Sequence, residues 1–369
     1  MKIFRKSYYS TIYQQENHVC QKILNSLDEK RLEYFPMQNR FDNFFQTMKY
    51  YMVNSKVKKF NDMFHYQYIK LSDGGKIRLD WNYDHKSKID KPIVMLFVGI
   101  NGVSCSYIPV FKYITQTLGW NCIIYNRRGC NIKLETTTFN ILGNAHDVHE
   151  IMQHLSFEIN LSKAPLYAIG WSAGSCELFN YLVKYPYNHF KGCTFISPGY
   201  DVKVASQQIK WPYTKILSTF CVNSYIKNNI ELWNSHPNID KILNSQSILE
   251  FIDYTHSMMG AQSTDDYFDK HNVIKNIHEI KIPILVLSAL NDPIFQKDLV
   301  YDQFSDCFDA ENIILIMTQF GGHCYFHQNW QDEHSWSDQI SLDFFHAIEE
   351  NELNYSTFSN KSQCVGDNV

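Results

Sequence analysis

The strongest constraint on this chain is a pentapeptide and its setting. Leu166–Ile169 is a short apolar run, Gly170-Trp171-Ser172-Ala173-Gly174 follows at once, and Cys176–Val183 has the apolar spacing of a helix. A buried strand, a tight turn and a helix in direct succession must pack against one another. That approach is possible only if the residues two before and two after the serine are tiny. Ser172 then sits on a strained turn with its hydroxyl presented above the strand end, the arrangement of a nucleophile elbow. The competing reading is an ordinary strand–helix turn with a buried serine; the flanking strand and helix favour the nucleophile.

The rest of the chain repeats the strand–helix pattern. Ile93–Val98, Cys122–Tyr125, Cys193–Ile196, Ile284–Leu287 and Ile313–Met317 are short continuous apolar runs, as expected of strands buried on both faces. Helix-like segments lie between them: Ile108–Leu118, Leu142–Leu155 and, after the last strand, Ile340–Ile348. Before the first run, Tyr66–Leu71 and Lys76–Trp81 flank Ser72-Asp73-Gly74-Gly75, whose residues suit a hairpin turn. This alternation predicts an α/β fold, with a mainly parallel central sheet, helices on both faces and the chemistry at the strand C-terminal ends. Residues 200–280 break the pattern: helix-like pieces such as Lys215–Ile226 dominate, as in a helical cap inserted over the site. The expected organisation is a helical or irregular extension over 1–60, a core over 61–199 and 281–350, the cap over 200–280, and a disordered tail over 351–369.

Composition narrows the function classes. With 369 residues, 44% hydrophobic and a net charge of −4, disorder is excluded as the dominant state. No basic stripe marks a nucleic-acid partner. No apolar run reaches the roughly 18 residues that a bilayer-spanning helix needs, so membrane contact is expected to be peripheral at most. The ten cysteines form no C-x-x-C pair and read as reduced, mostly buried thiols of an intracellular protein, cytoplasmic or peripheral on a membrane. The start, Met1 to Gln15, is basic and hydroxyl-rich. It is similar to a mitochondrial transit segment in composition, but a mobile cationic terminus is the favoured reading.

A serine hydroxyl is a weak nucleophile and needs a base oriented by a third group, here in the chain order Ser, acid, His. Asp292 lies just past the strand Ile284–Leu287, where an acid can reach an imidazole; Asp298 and Asp302 are its rivals, and a turn aspartate before Pro293 is the plainer reading. His323 ends Phe320-Gly321-Gly322-His323 after the last core strand, where the glycines let the loop carry the ring over Ser172; His327 and His334 are the alternatives. Oxyanion donors are expected from the backbone N–H groups of Ala173 and of Ile100, in Gly99-Ile100-Asn101-Gly102. His327 to Asp332 and His85 to Asp90 both spell H-x-x-x-x-D, and two such hits in a chain with 15 histidines read as chance. Arg127, Arg128 and Asp147 read as structural contacts.

Together these motifs resemble the YheT-type α/β-hydrolases, which include the eukaryotic abhydrolase domain-containing proteins one to three. The resemblance is carried by Tyr34-Phe35-Pro36 and Phe45-Gln46-Thr47, Asp73-Gly74-Gly75 with Leu79-Asp80-Trp81, and Gly99-x-x-Gly102-x-Ser104. It continues through Asn126-x-Arg128-Gly129, Gly170–Gly174, Asn291-Asp292-Pro293-Ile294 and Gly321-Gly322-His323. It implies a Ser–Asp–His esterase or lipase acting on acylglycerols, phospholipids or short-chain esters, needing no metal or organic cofactor. Ser172 would be the nucleophile, Asp292 the orienter and His323 the base. The family's eukaryotic lipases usually begin with a membrane-spanning anchor, a feature not expected here.

Overall fold

The computed structural model describes residues 2–6, 10–14, 17–27, 31–36, 63–83, 90–100, 102–272, 274–295, 310–329 and 331–363. Its frame is one ten-stranded sheet: β1 Lys2–Lys6, β2 Ser10–Gln14, β3 His65–Lys70, β4 Lys76–Trp81, β5 Ile93–Phe97, β6 Asn121–Asn126, β7 Leu166–Trp171, β8 Phe190–Ile196, β9 Ile284–Ala289 and β10 Ile313–Thr318. The spatial order is β1-β2-β10-β9-β8-β7-β5-β6-β4-β3. The six strands from β10 to β6 pair in parallel, and an antiparallel hairpin closes each end. Every residue of β5, β7, β9 and β10 is buried, which is why these strands read as unbroken apolar runs. The chain steps from β5 to β6 on one side and then crosses to β7 on the other. The C-terminal ends of β5 and β7 therefore flank a topological switch point, the usual place for a site in an open α/β sheet.

The helices are α1 His18–Ser26, α2 Ile108–Lys112, α3 Ala145–Glu158, α4 Ala173–Lys184, α5 Val202–Gln208, α6 Tyr213–Cys221, α7 Ile230–Trp233, α8 Ile239–Leu243, α9 Ile248–Thr255, α10 Thr264–His271 and α11 Trp336–Gln363. α3 and α4 cover one face of the sheet, with Val148, Ile151, Leu155, Leu178 and Leu182 on Met95, Phe97 and Ala168. α1, α2 and α11 cover the other, with Leu24, Val110, Phe111, Ile340 and Phe344 on Val94, Ile124 and Ile169. α5 to α10 fill residues 202–271 without a strand. They enclose a third cluster around Tyr225, Trp233, Phe251 and Tyr267, which reaches the core through Phe139, Ile141 and Cys176. The hairpin expected near Asp73 is β3–β4, with Gly74 at φ +85° in its turn. The eight cysteines among the described residues are all free thiols. No helix among the described residues is long and apolar enough to cross a membrane.

Two expectations need correction. The described part of residues 1–60 is not simply helical or irregular: Lys2–Lys6 and Ser10–Gln14 are strands, and β2 pairs with β10 from Ile314 to Thr318. β10 would otherwise present an unpaired apolar edge, and β2 satisfies its backbone groups. Nor does the chain become irregular at 351, because α11 continues to Gln363. No glycine or proline falls between Glu349 and Gln363 to stop the helix. Phe45-Gln46-Thr47, His85, Asn101, Asp298 and Asp302 lie outside the described residues.

Candidate active site

β7 runs into Ser172, which adopts φ +51°, ψ −117° and precedes α4 directly. The two flanking glycines explain how strand and helix come so close. A Cβ on Gly170 would lie 2.8 Å from Ser175 Cα, and one on Gly174 would lie 2.0 Å from the Phe97 carbonyl oxygen. Ser172 N–H donates to the Ile196 carbonyl at 3.0 Å, tying the turn to the end of β8. Ala173 opens the first turn of α4, whose N–H groups have no partner within the helix and carry its partial positive charge. Ile100 follows β5 in a turn closed by Gly102 N–H on the Gly99 carbonyl at 3.0 Å, and Gly99 N–H is held by the Tyr107 hydroxyl at 2.9 Å.

Asp292 and His323 sit on loops after β9 and β10. His323 Nε2 lies 2.8 Å from Ser172 Oγ, and His323 Nδ1 lies 2.9 Å from Asp292 Oδ2. The structure thus brings Ser172, His323 and Asp292 into one hydrogen-bonded row at the C-terminal edge of the sheet. Asp292 is also the turn aspartate of the plainer reading, since its Oδ1 accepts from the N–H groups of Ile294 and Phe295 at 2.7 and 3.0 Å. Burial disfavours the charged imidazole, but the adjacent Asp292 carboxylate more than offsets it and holds the His323 pKa well above the ordinary histidine range. Phe295 packs edge-on to the imidazole at 5.2 Å. The alternatives stand elsewhere. His327 stacks on Tyr325, His334 stacks on Tyr113 and contacts Gln339, and Asp332 accepts the Asn329 N–H.

The arginines behave as the sequence suggests, with one addition. Arg128 forms a bidentate pair with Asp147 at 2.6 and 2.8 Å and reaches Asp73 at 2.6 Å, locking the β3–β4 turn to α3. A Cβ on Gly75 would lie 2.4 Å from this guanidinium. Sequence reasoning missed the partner of Arg127: Glu177 on α4, 3.1 Å away, with both side chains essentially sealed from solvent. Arg127 also donates to the carbonyls of Ile141 and Val98 and so supports the strand end that leads into Gly99 and Ile100. The available signal was the lone acid, Glu177, in the mainly apolar helix after the elbow.

Two large depressions, of about 1050 and 750 Å³, contain none of Ser172, Asp292 and His323. The latter is walled by paired charges such as Arg128 and Asp147, so its size does not make it the reaction centre. Much smaller clefts adjoin the elbow. One of about 40 Å³ lies beside Trp171, Tyr107 and Tyr325, and one of about 20 Å³ beside Ser175, Cys176 and Gly199.

A family model described as "Serine aminopeptidase, S33" (Hydrolase_4) matches residues 88–326. The chain is 26% identical to "Phospholipase ABHD3" of Bos taurus over 294 residues, 76% of this chain and 71% of that one. It is 21% identical to "Monoacylglycerol lipase ABHD2" of Homo sapiens over 329 residues, 82% of this chain and 77% of that one. Among solved structures, the Pyrococcus furiosus esterase Pf2001 aligns with a TM-score of 0.49 at 14% identity, over 78% of this chain and 95% of that one. The matched segment spans well over half of the chain and contains Ser172, Asp292 and His323, and this protein belongs to the serine aminopeptidase S33 (Hydrolase_4) family of α/β-hydrolases.

Proposed function

We propose that the protein is a serine esterase that cleaves lipid carboxylic esters, acylglycerols or phospholipids, through an acyl-enzyme. The observation that carries this reading is the row Asp292–His323–Ser172, with bonds of 2.9 and 2.8 Å. In that geometry His323 Nε2 accepts the Ser172 proton as Oγ attacks the ester carbonyl, and the Asp292 carboxylate fixes the imidazole tautomer and stabilises its charged form. Negative charge on the carbonyl oxygen is met by the N–H groups of Ala173 and Ile100. His323 then protonates the leaving alcohol, and a water molecule deprotonated by the same imidazole releases the acid. The ester class is supported by the names of the relatives, a phospholipase and a monoacylglycerol lipase. Placement in the narrower YheT-type branch rests on the sequence motifs.

The test compares wild type with Ser172→Ala. A fluorophosphonate probe labels the first and not the second, and the variant loses about 10⁴-fold or more in kcat on p-nitrophenyl esters while its thermal unfolding is unchanged. Full activity in Ser172→Ala overturns the assignment. Absence of labelling in wild type favours a binding or structural role, and faster turnover of aminoacyl p-nitroanilides than of esters moves the protein to peptidase chemistry. A strong preference for acetate over octanoate removes the lipid part of the reading, and ester formation in the presence of added glycerol marks acyl transfer.

A further inference from the structure

Among the described residues four non-glycine residues adopt positive φ: Asn131, Ser172, Ser197 and Cys324, the last three at +51°, +49° and +72°. Those three meet. Ser197 directly follows β8, is buried, and donates its N–H to the Leu287 carbonyl on β9 at 2.9 Å. Its hydroxyl accepts the Cys324 N–H at 3.1 Å. The carbonyl of Ile196, one residue earlier, receives the Ser172 N–H at 3.0 Å and the Ser175 hydroxyl at 3.3 Å, and lies 3.9 Å from the Cys324 thiol. The two-residue segment Ile196–Ser197 therefore grips the nucleophile's turn with its carbonyl and the imidazole's loop with its side chain.

His323 lies on no regular element, so its backbone must be held by local bonds. Gly322 N–H on the Tyr325 carbonyl, at 3.1 Å, fixes one side, and Cys324 N–H on Ser197 fixes the other. At φ +49° a glycine would be free of Cβ strain, whereas a serine is not. Strain of this kind persists where the side chain has work that glycine cannot do.

We propose that Ser197 is a positioning residue, whose hydroxyl sets the His323 loop in register with Ser172. This rests on the reading of Ser172 and His323 as nucleophile and base. It acts through the backbone and touches neither substrate nor proton. Two substitutions separate a positioning role from a merely structural one. Ser197→Ala keeps the strain and loses the acceptor; Ser197→Gly loses both. A merely structural serine predicts that activity follows stability, with Ser197→Gly at least equal to wild type. A positioning serine predicts that both variants lose the same factor, about tenfold in kcat on p-nitrophenyl butyrate with KM little changed, although Ser197→Gly is the more stable of the two. An NMR signal gives a readout that does not need turnover. The proton between His323 Nδ1 and Asp292, assigned by its absence in His323→Gln, broadens and exchanges faster in both variants. Wild-type kcat together with a sharp signal in Ser197→Gly overturns the proposal. If wild type shows no Ser172-dependent hydrolysis, the esterase reading falls, and the Nδ1 signal alone decides whether Ser197 positions the ring.

Discussion

Asp292 uses its two oxygens for different work. Oδ1 holds the turn through Ile294 and Phe295, and Oδ2 holds the imidazole of His323. The turn bonds fix the carboxylate plane, so the imidazole is oriented by a group that cannot rotate away from it. The carboxylate, beside a buried ring, raises the His323 pKa well above the ordinary value, overcoming the opposing effect of burial. In its proposed role as base His323 works only when neutral, so kcat/KM should rise with pH along a limb whose midpoint lies above about 6.5, the ordinary histidine value. Asp292→Asn should move that limb down and lower kcat by about 10⁴-fold, because an amide favours the wrong tautomer. Its side-chain oxygen can still serve the turn, so unfolding should be little altered. A pH–rate profile of both proteins checks this, and an unshifted limb in the asparagine variant separates Asp292 from the titration. Stability carries the same sign. With a folded pKa above the unfolded one, the charged pair stabilises the fold fully below about pH 6.5 and loses that contribution as pH rises through the folded value. The stability difference between wild type and His323→Gln should shrink over the same range.

At the scale of elements, β2 covers the side of β10 that would otherwise be a sheet edge. It pairs residue for residue with β10, from Ile314↔Gln14 to Thr318↔Ser10, and buries Ile12 against the sheet. Removing residues 1–16 should cost about 3 kcal/mol, from one buried isoleucine and a lost ladder, and should leave β10 as an apolar edge open to pairing between molecules. Urea unfolding and light scattering measure both effects; an unchanged midpoint and a monodisperse truncated chain would show the strand to be dispensable. The same strand shows what a sequence hides. β5, β7, β9 and β10 are legible because burial on both faces makes them continuous apolar runs. β2 points Ser10, Ile12 and Gln14 inward, so two of its three buried residues are polar and no apolar alternation marks it. Ser172, Asp292 and His323 were legible for a related reason: each follows an apolar strand by a few residues, in a segment rich in turn formers. Glu177 was not, because its partner Arg127 lies fifty residues away and only the folded sheet brings the two together.

Across the whole molecule that buried pair joins three parts of the structure. The Arg127 guanidinium faces Glu177 on the helix that follows Ser172, donates to Val98 beneath the Gly99–Ile100 turn, and donates to Ile141 in the segment that packs on α5–α10. Glu177 in turn accepts from the Tyr125 hydroxyl at 3.0 Å and from Asn144 N–H at 3.2 Å. Gly143, at φ +82°, leaves the space for this: a Cβ there would lie 2.1 Å from Glu177 Cδ. A buried ion pair adds little net stability over a well-packed apolar pair, but breaking it leaves one charge stranded. Arg127→Met should therefore cost about 3–5 kcal/mol, read as a fall in the urea midpoint. Adding Glu177→Gln removes the stranded charge and keeps an oxygen for Tyr125 and Asn144, so the double variant should recover more than half of that loss. Its kcat should stay below wild type, because Val98 and Ile141 still lack their donor and the turn that offers the Ile100 N–H is no longer braced. Recovery of stability without recovery of rate would identify the pair as the link between α5–α10, the sheet and the Ser172 turn; recovery of both would reduce it to charge balance.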